Sequence, residues 1–279
     1  SGVNDILFHN NGGGSFTRIT TGHPVIDGLD SGTGAWADYD RDGVLDLFVG
    51  TYGGCPGQND LFYRNNGDVP FRKMTAAEVG LIVGDSAPTD IAAWADVDND
   101  GWPELSRCVG NGCLSSWWNY TTNQLLHLDG QGKFSLMDIG EMKRNTGGYT
   151  AITWADYDND GFLDALVWAE KGLVGLYRNL AGQGFTNVAA IAFSSQLTNC
   201  YAIWAGDYDN NGWQDIVANF VSGTRPAAFL RNNGDGTFTS RNLGSPTSAM
   251  GWHVPGDYNN DGFLDILMPY GPNLRHSLF

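Results

Sequence analysis

Positive charge is scarce in this chain: 15 lysines and arginines stand against 31 aspartates and glutamates, for a formal net charge of −16. Taken alone, that balance suggests a surface that repels nucleic acid and anionic lipid, and neither is expected as a partner. Cysteine is scarce as well. Four residues (Cys55, Cys108, Cys113, Cys200) are too few for a disulfide scaffold, though compatible with an oxidising compartment. No apolar run approaches the ~20 residues of a membrane-spanning helix. No segment carries a long 3.6-residue apolar period with caps, so helices are expected to be few and short. The five histidines (His9, His23, His127, His253, His276) are dispersed, and no GxSxG, HExxH or phosphate-cradling motif is present. The chain opens in mid-pattern at Ser1-Gly2 without a signal-peptide pattern and reads as a mature or trimmed form.

What is present is glycine (39 residues), aromatics (13%) and a 42% hydrophobic content beside only 16% charged residues, the profile of an all-β protein with a true core and many turns. The acidic residues are concentrated. Five nonapeptides share one pattern: DYDRDGVLD from Asp38, DVDNDGWPE from Asp96, DYDNDGFLD from Asp156, DYDNNGWQD from Asp207 and DYNNDGFLD from Asp257. They hold 18 of the 31 acidic residues. Five doubly charged cations would leave a net charge of about −6, within the ordinary range for a soluble domain. The acidity therefore reads as a ligand set and says little about partners.

Positions 1, 3, 5 and 9 of each copy carry oxygen-bearing side chains, and position 6 is glycine (Gly43, Gly101, Gly161, Gly212, Gly262). Hard cations take six to eight oxygens, and glycine allows the sharp turn that gathers them. The expected ligands are Asp38, Asp40, Asp42 and Asp46; Asp96, Asp98, Asp100 and Glu104; Asp156, Asp158, Asp160 and Asp164; Asp207, Asp209, Asn211 and Asp215; and Asp257, Asn259, Asp261 and Asp265. Position 7 (Val44, Trp102, Phe162, Trp213, Phe263) offers only its backbone carbonyl, its side chain turning into the protein. An EF-hand would need a glutamate at position 12, where Val49, Arg107, Val167, Ala218 and Met268 stand, and it would need flanking helices. The looser coordination of Ca²⁺ suits these loops better than the strict octahedron of Mg²⁺, giving about five Ca²⁺, one per repeat. Asn211 and Asn259 each remove a carboxylate and are expected to weaken the last two sites.

The loops start 58, 60, 51 and 50 residues apart. Between them a second motif recurs: LFHNNGGGSF from Leu7, LFYRNNGDVPF from Leu61, LLHLDGQGKF from Leu125, LYRNLAGQGF from Leu176 and FLRNNGDGTF from Phe229. Each is an apolar run, a turn rich in Asn, Asp or Gly, and a Phe opening another run: a hairpin. A strand before and after each acidic loop plus this hairpin makes four strands per repeat, the mark of a β-propeller blade. The 22 residues after Asp257 and the 38 up to Asp38 make a wrap-around interval of 60, matching the internal ones. The expectation is one all-β domain over residues 1–279. It is a five-bladed β-propeller of four-stranded blades, closed by N- and C-terminal strands sharing one blade. A piece cut from a longer array is the alternative, because the terminal HSLF (His276–Phe279) partly duplicates Ile6–Phe8.

The D-x-D-x-D-G-x-x-D loop, the small and aromatic strand before it and the NNGDGTF turn resemble the FG-GAP/VCBS repeats of integrin α-subunit propellers and many secreted proteins. WADYDNDGFLD with LYRN…GF is most similar to the repeats of cartilage-acidic-protein-like and ASPIC/UnbV-type extracellular proteins, and fungal and bacterial propeller lectins carry related repeats. The resemblance spans all five repeats and implies the fold, calcium and an extracellular, secreted setting. It implies no activity. Integrin-type propellers have seven blades and this chain has material for five, so interface positions do not carry over.

In that family the metal loops share one face, which leaves the opposite face for recognition. The candidates there are Tyr52, Trp117, Trp118, Tyr120, Tyr149, Trp168, Tyr201 and Trp252, with Phe220, His253 and Tyr270 nearby. Aromatics beside Asn, Thr and Gly suit glycan stacking or a protein anchor. Trp36, Trp94 and Trp154, each two residues before a first ligand, are expected to pack between blades. Cys108 and Cys113 bracket a turn-like VGNG and are the favoured disulfide, a Cys55–Cys113 bridge being the alternative; Asn119-Tyr120-Thr121 is a glycosylation sequon. The expected function is recognition or adhesion through glycan or protein, with no catalytic residues. A polysaccharide lyase or hydrolase, and a purely structural assembly subunit, are the alternatives.

Overall fold

The computed structural model describes residues 4–51, 59–67, 71–86, 89–110, 120–129, 131–143, 150–169, 174–189, 197, 200–220, 226–243, 254–268 and 277–278. Its strands divide between two compact units, residues 1–96 with 100–138 and residues 97–99 with 139–279.

In the first unit, β1 (Leu7–Gly12) and β2 (Ser15–Ile19) form a hairpin, followed by β3 (Ser31–Ala37), β4 (Asp46–Thr51), β5 (Leu61–Arg64) and β6 (Arg72–Lys73) in one antiparallel sheet. The next sheet contains β7 (Thr89–Ala95), β8 (Glu104–Gly110), β9 (Tyr120–Leu128) and β10 (Phe134–Leu136), again in chain order. Between these sheets lie a short helix, α1 (Ala76–Val79), and a 3-10 turn (Leu81–Val83). The second unit repeats the plan. One sheet contains β11 (Thr150–Ala155), β12 (Asp164–Ala169), β13 (Val174–Asn179) and β14 (Phe185–Asn187). Another contains β15 (Cys200–Gly206), β16 (Asp215–Phe220), β17 (Ala228–Asn232) and β18 (Phe238–Asn242). A three-stranded sheet, β19 (Val254–Gly256), β20 (Asp265–Met268) and β21 (Ser277–Leu278), follows. The protein is thus all-β, built from several four-stranded antiparallel meanders.

Registers are equivalent from sheet to sheet. The residue before each acidic loop pairs with position 9 of that loop: Ala37 with Asp46, Ala95 with Glu104, Ala155 with Asp164, Gly206 with Asp215 and Gly256 with Asp265. Each loop is therefore a long hairpin connection whose last ligand already belongs to the second strand. That strand is the innermost: all six residues of β4 and all six of β16 are buried, in keeping with their β-branched and aromatic content. The close packing needs glycine at one point. A Cβ on Gly50 would stand 2.6 Å from the Thr89 carbonyl of the neighbouring sheet.

The first unit is held by a core of Tyr39, Phe48, Phe62, Val79, Ile82, Leu105, Leu126 and Phe134, to which both sheets, α1 and the 3-10 turn contribute. Trp94 packs against it as expected, and its indole Nε1 donates to the Ala35 carbonyl at 3.3 Å. Trp154 lies half-buried against Phe185. Trp36 departs from the expectation. It meets Phe71 but is 44% exposed. Trp94 gains its burial by lying across β3, the first strand of the sheet before its own, whereas Trp36 stands on β3 itself.

Beside this apolar core runs a buried polar network. Arg107 in β8 is fully buried; its guanidinium donates to Asp60 (2.9 Å), to Gln124 (2.9 and 2.8 Å) and to Asp85. Asp60 also accepts from the Thr51 N–H (2.9 Å) and the Thr89 hydroxyl (2.5 Å). Burial pushes the Asp60 carboxyl up to about 6, against the opposing pull of Arg107.

Candidate metal centre

The five acidic loops fold alike because the first aspartate turns back on its own backbone. In the first loop Asp38 accepts the N–H of Asp42 (3.0 Å) and of Gly43 (2.9 Å), and Asp42 accepts the N–H of Val44 (2.9 Å). Asp156, Asp207 and Asp257 repeat this pair of bonds. Trp102, Phe162, Trp213 and Phe263 each donate to position 5 of their own loops at 2.8–3.0 Å. Two backbone conditions make this turn possible. The position-6 glycines have φ of 85–91°, and position 4 (Arg41, Asn99, Asn159, Asn210, Asn260) sits at φ 54–60°. The second value suits asparagine, which tolerates the left-handed region better than most residues.

Position 9 is the buried anchor. Asp46, Glu104, Asp164 and Asp215 are at most 2% exposed. Asp46 accepts the N–H of Tyr39 (3.2 Å) and Asn65 (2.7 Å); Asp164 those of Tyr157 (3.0 Å) and Asn179 (2.7 Å); Asp215 those of Tyr208 (3.2 Å) and Asn232 (2.8 Å). Burial outweighs these bonds and pushes Asp46 and Asp164 up to about 6, and Asp215 in the same direction. A cation beside a carboxylate so placed would favour its charged form.

In four of the five loops, three acidic oxygens come together among the described residues. One atom from each of Asp38, Asp40 and Asp42 falls within 4.8 Å of the others, as it does for Asp96, Asp98 and Asp100, for Asp156, Asp158 and Asp164, and for Asp207, Asp209 and Asp215. The chemistry fits a hard cation on a second ground. Buried carboxylate oxygens are left without a hydrogen-bond partner at Asp40, Asp158 and Asp209, all position 3, and at Asp96. Such orphans are costly unless a further ligand meets them. In the fifth loop Asn259 turns its amide onto Asp261 (3.0 Å), and Tyr258 is 67% exposed where Tyr39, Tyr157 and Tyr208 are buried. At position 7, Val44, Trp102, Phe162 and Trp213 are half-buried, whereas Phe263 is 49% exposed.

Two further groups escaped the reading of the sequence, although their signal is the recurrent Arg-Asn of the second motif. Arg64 reaches Asp40 (2.5 Å) and Asp42 (3.4 Å), Arg178 reaches Asp158 (2.5 Å) and Asp160 (3.2 Å), and Arg231 reaches Asp209 (2.5 Å). In register the counterpart in the second loop is His127, whose Nδ1 lies 2.9 Å from Glu104. The adjoining asparagines lock the loop's end. Asn65 donates to the Leu45 carbonyl (3.0 Å); Asn179 to those of Leu163 (2.9 Å) and Val97 (2.7 Å); Asn232 to those of Gln214 (3.2 Å) and Tyr157 (2.8 Å).

The aromatic candidates fare differently. Trp168 lies in β12 and is 4% exposed, and Phe220 in β16 is 2% exposed, so neither offers a ring face to a ligand. The reason is local: both stand on the buried second strand of their sheets. Tyr120 begins β9 and Tyr201 lies in β15. Tyr52, Trp117, Trp118, Asn119, Tyr149, Trp252, His253 and Tyr270, and with them Cys55 and Cys113, lie outside the described residues. No helix among the described residues is long and apolar enough to cross a membrane.

Known proteins carry the same pattern. The FG-GAP-like repeat matches residues 114–167, 166–218 and 220–268. Cartilage acidic protein 1 is 28% identical over 186 residues in Homo sapiens and over as many in Mus musculus. The match covers 66% of this chain and only 27% and 28% of those proteins. Among solved structures, a lectin of Agrocybe aegerita, described for its specific recognition of non-reducing terminal N-acetylglucosamine, aligns over 95% of this chain and 69% of its own, with a TM-score of 0.62 and 18% identity. The Tc holotoxin pore of Photorhabdus luminescens aligns over 95% of this chain and 12% of its own, with a TM-score of 0.50 and 12% identity.

Proposed function

Because the chain belongs to the family of FG-GAP-like repeat proteins, we propose that it is a calcium-stabilised recognition module, acting outside the cell and binding a glycan without turning it over. The observation that carries the calcium part is the set of converging carboxylates with orphaned buried oxygens. Asp38, Asp40, Asp42 and Asp46 would hold the first ion, and their counterparts from Asp96, Asp156, Asp207 and Asp257 the others, with a position-7 carbonyl in each. Bound Ca²⁺ supplies positive charge that offsets the repulsion among these side chains and thereby stabilises the fold. The glycan part is supported by the likeness to a lectin fold and by the aromatic-rich sequence Trp117-Trp118-Asn119-Tyr120. We extend the proposal to one domain whose sheets are the blades of a single five-bladed ring; the equivalent registers of the sheets support equivalent blades, and the closure is part of the proposal.

The test is a glycan array run in Ca²⁺ and in EGTA, with wild type and with Trp117→Ala/Trp118→Ala, beside thermal melts under the same two conditions. The reading expects glycan binding that needs both tryptophans, and a melting temperature many degrees lower in EGTA. An unchanged melt would overturn the calcium part. Absent binding, binding indifferent to the tryptophans, or release of shortened product from a bound polysaccharide would overturn the recognition part.

A further inference from the structure

The left-handed residue at position 4 of each loop lies between two ligand positions. Three times its side chain ends on the same atom of the next loop. The Asn99 amide donates to the Gly161 carbonyl (2.8 Å), that of Asn159 to the Gly212 carbonyl (3.0 Å), and that of Asn210 to the Gly262 carbonyl (2.7 Å). A carbonyl only accepts, so the amide nitrogen must face it. In the first loop the residue is Arg41, which instead lays its guanidinium over the Trp102 ring at 4.8 Å.

The accepting peptide plane has a second role. In the fourth loop the plane joining Gly212 to Trp213 takes the Asn159 amide on its oxygen and gives the Trp213 N–H to the Asn211 side chain (2.8 Å). In the fifth loop the plane joining Gly262 to Phe263 takes Asn210 and gives its N–H to Asp261 (2.9 Å). Asn211 and Asp261 are position-5 ligands. One rigid peptide unit thus connects the fourth residue of one loop to the position-5 ligand of the next.

We propose that the third, fourth and fifth loops bind their cations cooperatively, with Asn159 and Asn210 as the positioning residues that carry the coupling. The inference rests on the calcium reading of the loops. A cation that draws positions 3 and 5 together fixes the backbone of the asparagine between them, and with it the direction of its amide. That amide holds the next loop's peptide plane in the orientation its own position-5 ligand needs. The coupling is reciprocal, as any equilibrium linkage must be. Each step is one hydrogen bond of ordinary net strength, which corresponds to roughly a two- to tenfold change in a binding constant.

The experiment uses the whole chain, calcium-free, titrated with Tb³⁺. Tryptophan-sensitised emission reports the fourth loop through Trp213, with Trp213→Phe as the assignment control, and calorimetry counts ions. Asn159→Gly and Asn210→Gly are chosen because glycine keeps the left-handed backbone while removing the amide. Each is expected to bind as many ions as wild type, with a shallower binding curve and a midpoint shifted two- to tenfold. To separate coupling from loosening of the loop itself, the fifth loop is disabled by Asp257→Ala/Asp261→Ala. In wild type this should weaken the fourth loop two- to tenfold, and in the Asn210→Gly background it should have no further effect, as a double-mutant cycle requires. A fourth-loop midpoint indifferent to the fifth loop, or one shifted equally in both backgrounds, overturns the proposal. Failure of wild type to bind any ion would instead sink the calcium reading on which it rests.

Discussion

Replacing Arg107 by Met removes the centre of the buried network in the first unit. Arg107 and Asp60 have no exposed side-chain surface, and the guanidinium bonds Asp60, Asp85 and Gln124 together. Methionine retains most of the apolar stem but removes the charge facing Asp60, which keeps its bonds from Thr51 and Thr89. Breaking one side of a buried ion pair costs about 3–5 kcal/mol, because the remaining charge stays out of water. At about 2–4 °C per kcal/mol for a chain of this size, the melting temperature should fall by roughly 6–20 °C.

The loss should also depend on pH. Burial already holds the Asp60 carboxyl near 6, above its ordinary 3.8, and removing Arg107 raises it further. For an acid whose folded value is raised, the folded state binds the extra proton, so stability falls as pH rises through the folded value. In wild type this loss is complete a little above pH 6; in the variant it continues, at no more than about 1.4 kcal/mol per pH unit. The gap between the two proteins should therefore widen from pH 5 to pH 8 in calorimetric or fluorescence melts with Ca²⁺ held constant. A loss under about 1 kcal/mol, or a gap indifferent to pH, would refute the reasoning.

Two further outcomes follow from pairs nearer the surface. Arg178 is about half exposed and shares Asp158 and Asp160 with any cation in the third loop, so Arg178→Gln should tighten Ca²⁺ binding there by a few fold. It should cost the calcium-free protein about 1 kcal/mol or less, read by calorimetry and by melts in EGTA. Asp27 accepts from the buried Tyr63 hydroxyl and bonds His23 and Lys73; although burial acts against it, these bonds hold its carboxyl below the ordinary 3.8. Its contribution is present above 3.8 and is lost as pH falls through the lower folded value, so Asp27→Asn should melt below wild type at pH 7 and converge with it in acid.

The repeat made much of this legible in sequence. Five copies of one spacing determine where the hairpins turn, and position 9 was the oxygen-bearing position left to expect as a ligand once EF-hand position 12 held none. The burial of position 9 and the left-handed backbone at position 4 follow from the same hairpin geometry, yet only coordinates display them. Side chains that act between repeats were hidden. Arg107 at position 12 read as the absence of a ligand, when its partners lie 47 and 22 residues away in Asp60 and Asp85. Trp168 read as a loop aromatic because it follows an apolar run, but that run is the innermost strand and takes Trp168 in with it. Trp36 and Trp94 occupy identical positions in the pattern, and their contacts distinguish them: Trp94 reaches the Ala35 carbonyl of the sheet before its own, whereas Trp36 meets Phe71 and stays 44% exposed.

The amide of Asn179 closes on the carbonyl of Val97, and that of Asn232 on Tyr157, each reaching back to the second residue of the preceding loop across 82 and 75 residues. A repeat excised at its own boundaries would keep the amide's bond within the repeat, to Leu163 or Gln214, but lose its second acceptor and abandon a carbonyl behind it. The unit that can be added to or taken from such a chain is therefore the joint between two repeats, and any shuffling of blades, natural or designed, has to cut in that phase.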